Sequence, residues 1–370
     1  MGALDSDFPR FDDSPANWMG PDLAATPSRW VCELTAAELA DLQTVVAEHG
    51  SRTDSLTNLR REDVDMPRLG ITLQRLRAEL LDGVGIGLIR GLPVERCSLR
   101  QAATAFWAVG LYLGEPLSQN AAGHVLGHVR DLGFDYAQPS ARGYQTTDRL
   151  PYHCDAGDVV GLLSLQTSRA GGLSSAVSST ALYHAMVDRW PVLAAILMQP
   201  TYRDRRDEIP AGRDAWYEMP VFNPHRGRLF GHYVRSTINK AQRFTEVPRI
   251  TDEQIHAFDR LDTLASSKAF RLDMEFRAGD MQFVCNHWIL HSRTRFEDWP
   301  DPLRRRHLLR LWLGCPGAPP VPDAYVNQQG LTASDRPTGI RCPGGELHAP
   351  LEVVDGGAGD SGIRKKPDRT

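Results

Sequence analysis

The first third of the chain places apolar residues at intervals of three and four, which is the period of an amphipathic α-helix. One helix is predicted after Thr35, because Thr35 and Glu38 form a capping-box pattern ahead of an apolar stripe. Further helices are predicted over 73–81 and, opened by a second capping box, over 98–113. A short apolar run between glycines predicts a strand over 85–89.

From about residue 120 the pattern changes to short apolar and β-branched runs, separated by Gly, Pro, Asn and Asp. The runs predict strands over 125–129, 159–165, 174–178, 228–233, 270–276, 281–290 and 308–313. Two helical insertions are predicted, over 181–198 and 251–266. Many short strands of this kind are typical of an antiparallel barrel or a jelly roll. The predicted fold class is therefore mainly β with α, an α+β arrangement in which helices flank a β core.

The two ends of the chain lack this order. Residues 1–28 are rich in Asp, Pro and Ser and predict an N-terminal arm that is flexible or lies on the surface. Residues 316–370 are rich in Pro and Gly and predict a C-terminal tail. The chain has 370 residues, of which 41% are hydrophobic, so the part between, 29–315, can bury a core as a single domain.

The overall composition favours a small-molecule partner. The formal net charge of −4 does not provide the surplus of basic residues that nucleic acid requires. We find no apolar stretch of the roughly 18 to 20 residues that span a bilayer. The six cysteines are scattered without a CxxC pair, which is typical of reduced thiols. These features predict a cytoplasmic protein without nucleic-acid or membrane partners; the oligomeric state stays open, a homo-oligomer included.

A candidate metal site lies in the triplet His153-Cys154-Asp155, because side chains alternate along a strand and both outer residues could share one ion. By itself, a solvated strand face explains the triplet equally well. A third ligand is available at His287 or His291, which have the same strand parity, so periodicity does not choose between them. Two imidazoles and one carboxylate leave coordination positions open, which suits non-heme iron(II) that binds a cosubstrate and dioxygen together.

A pair of arginines adds a second indication. Strand alternation puts Arg306, Leu308 and Arg310 on one face, and two arginines are costly to bury without an anion. The dicarboxylate 2-oxoglutarate could chelate the metal while a guanidinium grips its far carboxylate. The alternatives are a basic surface ridge or a nucleic-acid patch, and the leucines that follow favour a core strand over both.

The order of these motifs resembles the TauD/TfdA-like iron(II)/2-oxoglutarate dioxygenases, and most of all their γ-butyrobetaine hydroxylase-like branch. The resemblance covers about residues 83–314 and rests on His-x-Asp, on Leu290-His291-Ser292-Arg293 and on the Arg-Arg-His-Leu block at 305–308. It implies a double-stranded β-helix core, which is a jelly-roll or cupin-like fold flanked by helices. No cysteine cluster precedes this core, so the zinc module of some butyrobetaine hydroxylases is missing and carnitine synthesis is not implied.

The resemblance also implies roles for individual residues. His153, Asp155 and His291 would bind the metal, which selects His291 over His287. Arg306 would bind 2-oxoglutarate, with Ser174 of Gly171-Gly172-Leu173-Ser174 as a second contact to the far carboxylate. Arg310 would contact the anion of either the cosubstrate or the substrate.

The implied activity is oxidation of a C–H bond of a small metabolite, amino-acid-derived or from secondary metabolism, with iron(II), 2-oxoglutarate and dioxygen and with release of succinate and carbon dioxide. Hydroxylation is the default; desaturation, epoxidation or cyclisation stay open, and halogenation is disfavoured because Asp155 takes the position of a halide. A non-catalytic jelly-roll binding protein is the alternative of another class. The candidate substrate residues are Asn120, Gln145, Tyr152, Arg235 and Arg310.

Overall fold

The computed structural model of the chain describes residues 8–52, 54–134, 142–342 and 344–352. The helices in these ranges are α1 (Gly20–Ala24), α2 (Ala36–His49), α3 (Leu69–Leu81), α4 (Leu99–Leu113), α5 (Ser179–Arg189), α6 (Pro191–Leu197), α7 (Arg235–Ala241) and α8 (Asp252–Ser266). The strands are β1 (Val31–Glu33), β2 (Ile86–Arg90), β3 (Glu115–Leu117), β4 (Leu126–Val129), β5 (Leu150–His153), β6 (Val159–Gln166), β7 (Ala170–Gly171), β8 (Ser174–Ser178), β9 (Thr201–Asp204), β10 (Trp216–Met219), β11 (Phe222–His225), β12 (Arg228–Gly231), β13 (Leu272–Met274), β14 (Met281–Cys285), β15 (Ile289–Arg293), β16 (Phe296–Glu297) and β17 (His307–Gly314).

Two sheets, of seven and four strands in the described residues, form the core. The larger sheet contains the antiparallel order β4-β17-β6-β14, extended by β2 and β1 at one side and by β3 beside β17. The smaller sheet has the order β13-β8-β15-β5. Along the chain, the passages from β4 through β5 and β6 to β8, and from β13 through β14 and β15 to β17, each change sheet. This alternation is the winding of a double-stranded β-helix, so the predicted fold class is confirmed.

Helices cover the outer side of both sheets. Helices α2, α3 and α4 pack on the larger sheet, where Phe106 of α4 lies 6.0 Å from Phe283 of β14 between ring centroids. Helices α5, α6 and α8 pack together next to the smaller sheet in a second apolar cluster. The capping boxes predicted at Thr35, Ser98 and Thr251 are all present. These layers bury the apolar faces of the strands and hold the strand ends, which carry the candidate site, in fixed positions.

Two predicted elements are each divided in the structure. The run predicted as one strand over 281–290 forms β14 and β15, which belong to different sheets. The chain turns between them, where the Trp288 N–H donates to the Cys285 carbonyl. The helix predicted over 181–198 is likewise two helices, because Pro191 has no N–H to continue α5 and instead begins α6.

Parts of both chain ends pack on the core. In the segment predicted as an arm, Trp18 is buried and its Nε1 donates to the Val84 carbonyl at 2.9 Å. In the segment predicted as a tail, Tyr325 and Arg336 are buried. The proposed boundaries at 28 and 315 stay a prediction, and residues 1–7 and 353–370 lie outside the described ranges.

Two further predictions can be compared with the described residues. All six cysteines lie there, and each has a free thiol. None of the described helices combines the length and the apolar character needed to cross a bilayer.

Candidate metal centre

His153, Asp155 and His291 lie together at one end of the smaller sheet. His153 is the last residue of β5, and Asp155 lies in the loop that follows. His291 lies in the neighbouring strand β15, directly opposite His153. One potential ligand atom from each side chain lies within 4.8 Å of the other two. The ring centroids of the two histidines are 4.3 Å apart, and His291 Nε2 is 3.8 Å from Asp155 Oδ2. Among the described residues this is the cluster that could hold a metal ion.

The protonation states of the three side chains suit a metal. The carbonyl of Pro151 can only accept, so His153 Nδ1 donates to it at 2.8 Å and Nε2 keeps its lone pair. Burial, and next the charge of His153, lowers the pKa of His291 to about 3. Burial acts to raise the pKa of Asp155, but the Arg310 guanidinium, together with His291 and His153, outweighs burial, and the pKa lies below its usual range. Neutral imidazoles and an ionised carboxylate are the forms that bind metals.

One polar atom in this cluster lacks a partner. His291 Nδ1 is buried, and no group in the described ranges forms a hydrogen bond with it. A buried polar atom is normally satisfied, and an unsatisfied one calls for a missing water, ion or ligand. The two imidazoles and the carboxylate therefore fit a divalent metal such as iron(II).

His287, the other candidate for the third ligand, lies elsewhere. Its Nε2 donates to Asp158 Oδ1 at 2.7 Å, and both side chains are buried. Strand parity makes His287 and His291 equivalent in sequence, but it applies only within one continuous strand. In the structure His287 lies in the turn between β14 and β15, whereas His291 lies in β15. The structure brings His291 to the cluster and leaves His287 outside it.

The loop that carries Asp155 is held by Asn286, a residue that no motif in the sequence marks as functional. Asn286 Oδ1 accepts from the Asp155 N–H at 3.0 Å, and Asn286 Nδ2 donates to the Gly157 carbonyl at 3.0 Å. Asn286 is buried and lies in the turn before β15. Asn286 therefore links the segment that carries His153 and Asp155 to the segment that carries His291.

A small cavity beside the cluster contains a buried cation. His153, Asp155, His291, Ser174 and Arg306 all line it. Arg306 is 5% exposed, and its Nη1 has no hydrogen-bond partner in the described part of the chain. Burial, and next the charge of Arg293, lowers the pKa of Arg306 to about 9. An anionic ligand would offset the free-energy cost of keeping this buried guanidinium charged.

The Gly-Gly-x-Ser segment lies against the same arginine. Gly172 has φ +73°, and a Cβ there would lie 3.3 Å from Arg306 Nε, so the position needs glycine. Ser174 Oγ donates to Gln282 Oε1 at 3.1 Å and leaves its own oxygen available as an acceptor. Ser174 and Arg306 thus both line the small cavity, and their contact with 2-oxoglutarate stays a prediction.

Arg310 lines both the small cavity and a larger one, which opens beside His153 and Asp155. Its Nη1 is 3.6 Å from Asp155 Oδ2, and its Nε donates to Gln119 Oε1 at 2.8 Å. Its guanidinium carbon lies 4.4 Å from the centroid of the Tyr144 ring. Gln119, which fixes this arginine, is a residue that the sequence reasoning missed.

Comparison with known proteins identifies the family. The family model described as "Taurine catabolism dioxygenase TauD, TfdA family" matches residues 52–312. The chain belongs to the TauD/TfdA family. Proteins of this family are non-heme iron oxygenases that use iron(II), 2-oxoglutarate and dioxygen, so the predicted enzyme class and cofactors are confirmed. The nearer likeness to the γ-butyrobetaine hydroxylase-like branch stays a prediction.

Two relatives match most of this TauD/TfdA chain. FR-33289 synthase of Streptomyces rubellomurinus is 28% identical over 318 residues, which are 84% of this chain and 93% of the relative. The taurine hydroxylase-like protein SAT17 of Stachybotrys chartarum is 26% identical over 302 residues, which are 80% of this chain and 77% of the relative.

Solved structures support the fold. An asparagine oxygenase in complex with Fe(II), 3-hydroxyasparagine and succinate superposes with a TM-score of 0.60 at 15% identity, over 77% of this chain and 93% of that chain. The non-heme iron oxygenase OrfP, in complex with Fe and α-ketoglutaric acid, gives 0.58 at 18% identity, over 77% of this chain and 94% of that chain. OrfP has also been crystallised with Fe, succinate and (3S)-hydroxy-L-Arg, and this structure gives 0.56 at 16% identity, over 76% of this chain and 93% of that chain.

The larger cavity of this TauD/TfdA chain opens beside His153 and Asp155. Its wall includes an ion pair that the sequence reasoning missed, in which Arg142 Nη2 donates to Glu208 Oε2. Both side chains of the pair are buried. The part of the chain beyond the family match also contributes to the wall, through Gln328, Gln329 and Ile340.

Besides Arg310, two of the predicted substrate residues reach this cavity. Tyr152 lines it, although its hydroxyl is engaged at 2.6 Å with Ser175 Oγ. Arg235 lines it too, and its Nη2 donates to Asp259 at 3.1 Å while its Nη1 lies 3.5 Å from Asp262. Both side chains are therefore committed to structural partners.

The other two have their own local roles. Asn120 Oδ1 accepts from the backbone N–H groups of Ala122 and His124 and closes a turn. Gln145 Oε1 accepts from the Arg142 N–H and caps a short helical turn. Neither Asn120 nor Gln145 belongs to the residues that line the two described cavities.

Proposed function

We propose that His153, Asp155 and His291 bind iron(II), and that the enzyme hydroxylates a C–H bond of a small metabolite held in the larger cavity. The observation that carries this proposal is the joint position of three groups in metal-binding protonation states and a buried cation around one cavity. A metal and a dicarboxylate would satisfy both features at once.

Arg306 and Ser174 are the proposed partners of the far carboxylate of 2-oxoglutarate. A guanidinium can donate two parallel hydrogen bonds to a carboxylate, and the Ser174 hydroxyl can add a third. Arg293 lines the same cavity and adds positive charge there. When bound, iron(II), 2-oxoglutarate and dioxygen would supply the oxidising chemistry, in which one oxygen atom goes to the succinate formed with loss of carbon dioxide and the other to the substrate.

The remaining task of the chain is placement. Arg310 contributes most to keeping Asp155 ionised, and Gln119 fixes Arg310 by accepting a hydrogen bond from its Nε. The small cavity has apolar walls, which are formed by Leu150, Val160, Leu162 and Phe276. Such walls limit the access of water and strengthen the electrostatic interactions inside.

We propose a small metabolite with an anionic group as the substrate, either amino-acid-derived or from secondary metabolism. The larger cavity is lined by Arg142, Arg205, Arg206 and Arg310 and by the carboxylates Asp155, Asp204 and Glu208, which leaves an excess of positive charge. Arg235 also lines the cavity, but its charge is paired with Asp259 and Asp262. Hydroxylated amino acids in the complexes of asparagine oxygenase and OrfP support amino acids as the first compounds to test.

The experiment is a coupled assay with iron(II), 2-oxoglutarate, dioxygen and a panel of amino acids, their N-acyl derivatives and taurine. We expect one or more compounds to gain one oxygen atom by mass spectrometry, in a 1:1 ratio to succinate, with wild type but not with His291→Ala. Substrate-stimulated succinate formation that is equal in His291→Ala would contradict the metal assignment. Product formed only from compounds without an anionic group, such as the amides of the same amino acids, would contradict the substrate class.

A further inference from the structure

A buried carboxylate lies three positions beyond the proposed ligand Asp155. Asp158 is 0% exposed and accepts four hydrogen bonds. The donors are Arg336 Nε at 2.7 Å, Arg336 Nη2 at 2.5 Å, His287 Nε2 at 2.7 Å and the Cys315 N–H at 2.7 Å. Burial acts to raise the pKa of Asp158, but Arg336 and then His287 outweigh it and lower the pKa to about 2. The carboxylate is therefore ionised and fully paired.

The main donor comes from a part of the chain outside the family match. Arg336 lies in the C-terminal segment, whereas the TauD/TfdA match ends at residue 312. Its side chain is buried, and its Nη1 donates to the carbonyls of Ala318 and Pro319 at 3.1 and 2.9 Å. Nε, Nη1 and Nη2 all have partners, so the guanidinium holds one geometry.

Asp158 is linked to both segments that carry proposed ligands. Its carbonyl accepts from the Asn286 N–H at 2.9 Å, and Asn286 Oδ1 accepts from the Asp155 N–H at 3.0 Å. Its side chain holds His287, which lies in the turn that leads into the strand of His291. Through Asp158, the loop of Asp155 and the turn before His291 are thus fixed against each other.

We infer that Arg336 is a positioning residue for the metal centre. By orienting Asp158, it sets the separation of the segment that holds His153 and Asp155 from the segment that holds His291. The inference rests on the proposed iron site and adds a residue from the C-terminal segment to it. Residues that hold metal ligands in place tune the affinity for the metal because they fix the orientation of the ligands. Their loss typically weakens metal binding about 10- to 100-fold.

The test compares three single variants, all in the full chain. Arg336→Met removes the charge, and Arg336→Lys keeps the charge but loses the planar fork. The matched control is Arg90→Met, because Arg90 Nε also pairs at 3.3 Å with a buried carboxylate, Asp280, at the other end of β14. Iron(II) dissociation constants are measured anaerobically in the presence of 2-oxoglutarate from the visible charge-transfer band, and thermal stability is measured in parallel.

Arg336→Met is expected to weaken iron(II) binding about tenfold and to shift the band. Arg336→Lys is expected to recover part of the affinity. Arg90→Met is expected to lower the melting temperature while its iron affinity stays within about twofold of wild type. A merely structural role for Arg336 predicts instead that both Met variants affect stability alike and iron binding not at all, which would overturn the inference.

A double variant covers the case in which Arg336→Met does not fold. Asp158→Asn with Arg336→Met leaves no unpaired buried charge, so we expect it to fold and still to bind iron about tenfold more weakly. Wild-type affinity in this double variant would overturn the inference. A wild-type protein without any band would instead contradict the proposed iron site itself, so the two failures are distinguishable.

Discussion

Replacing Arg306 by Met is expected to stabilise the ligand-free protein and to weaken its binding of 2-oxoglutarate. Burial, and next Arg293, lowers the pKa of Arg306 from its ordinary value of 12.5 to about 9. At about 1.4 kcal/mol per pKa unit, this shift corresponds to a cost of roughly 5 kcal/mol for keeping the buried group charged near neutral pH. Met has a similar length and no charge, so we expect a gain of about 1–4 kcal/mol in the free energy of unfolding.

The same change removes the proposed carboxylate partner. Truncating one member of a buried, hydrogen-bonded charge pair costs about 2–5 kcal/mol of binding free energy. At about 3 kcal/mol, the dissociation constant of 2-oxoglutarate rises roughly 100-fold. Iron(II) binding without 2-oxoglutarate is expected to change little, because Arg306 is not among the proposed ligands.

Both effects can be measured on one set of proteins. Anaerobic titration of the iron-loaded protein with 2-oxoglutarate gives the affinity, and urea denaturation without ligands gives the stability. Arg304→Met is the control, since Arg304 lies two positions away and is exposed. Wild-type affinity for 2-oxoglutarate in Arg306→Met, or an equal loss of iron and 2-oxoglutarate binding, would refute the assignment of Arg306.

Three further predictions concern single side chains. Ser174→Ala is expected to weaken 2-oxoglutarate binding about fivefold, or about 1 kcal/mol, whereas Ser174→Thr keeps the hydroxyl and the affinity; equal affinities in both variants would argue against this contact. Asn286→Ala is expected to weaken iron(II) binding about tenfold, because the Asp155 N–H loses its partner, and an unchanged iron titration would contradict this. Burial, and next His128, lowers the pKa of His307 from 6.5 to about 3, so the unfolded chain takes up a proton in this range that the folded chain does not. Stability from this group therefore falls as the pH falls below about 6.5, by about 2 kcal/mol at about pH 5, and urea denaturation of His307→Gln should show a correspondingly shallower fall.

Local patterns in the sequence account in part for the proposed metal ligands. Strand alternation predicts that His153 and Asp155 point to one side, and the structure brings them together although Asp155 lies just past the end of its strand. The choice of His291 over His287 could not come from periodicity. A continuous apolar run does not indicate where the chain passes from one sheet to the other. The choice of His291 therefore rested on the order of motifs in the family.

The arginine face is a similar case. Arg306 and Arg310 do line one cavity, as alternation predicts, even though the register of β17 against β6 shifts between His307 and Leu308. The shift lies at the end of β17 next to Arg306, and both side chains still line the small cavity.

The supporting residues could not be predicted, because their partners are distant along the chain. Asn286 bonds to Asp155 over 131 positions, and Arg336 bonds to Asp158 over 178. Neither residue forms a motif, and a buried Arg in a Pro- and Gly-rich segment looks in sequence like part of a surface tail. Such contacts depend on how the sheets close, which is a tertiary property and not a local one.

The assignment of iron(II) to His153, Asp155 and His291 is tested most directly by anaerobic addition of iron(II) and 2-oxoglutarate to the wild-type protein and to alanine variants. We predict a weak visible metal-to-ligand charge-transfer band in wild type and in His184→Ala, a buried histidine whose Nε2 accepts from the Phe11 N–H. We predict no band in His153→Ala or His291→Ala. A band of unchanged strength in these two variants, or no band in wild type, would contradict the assignment.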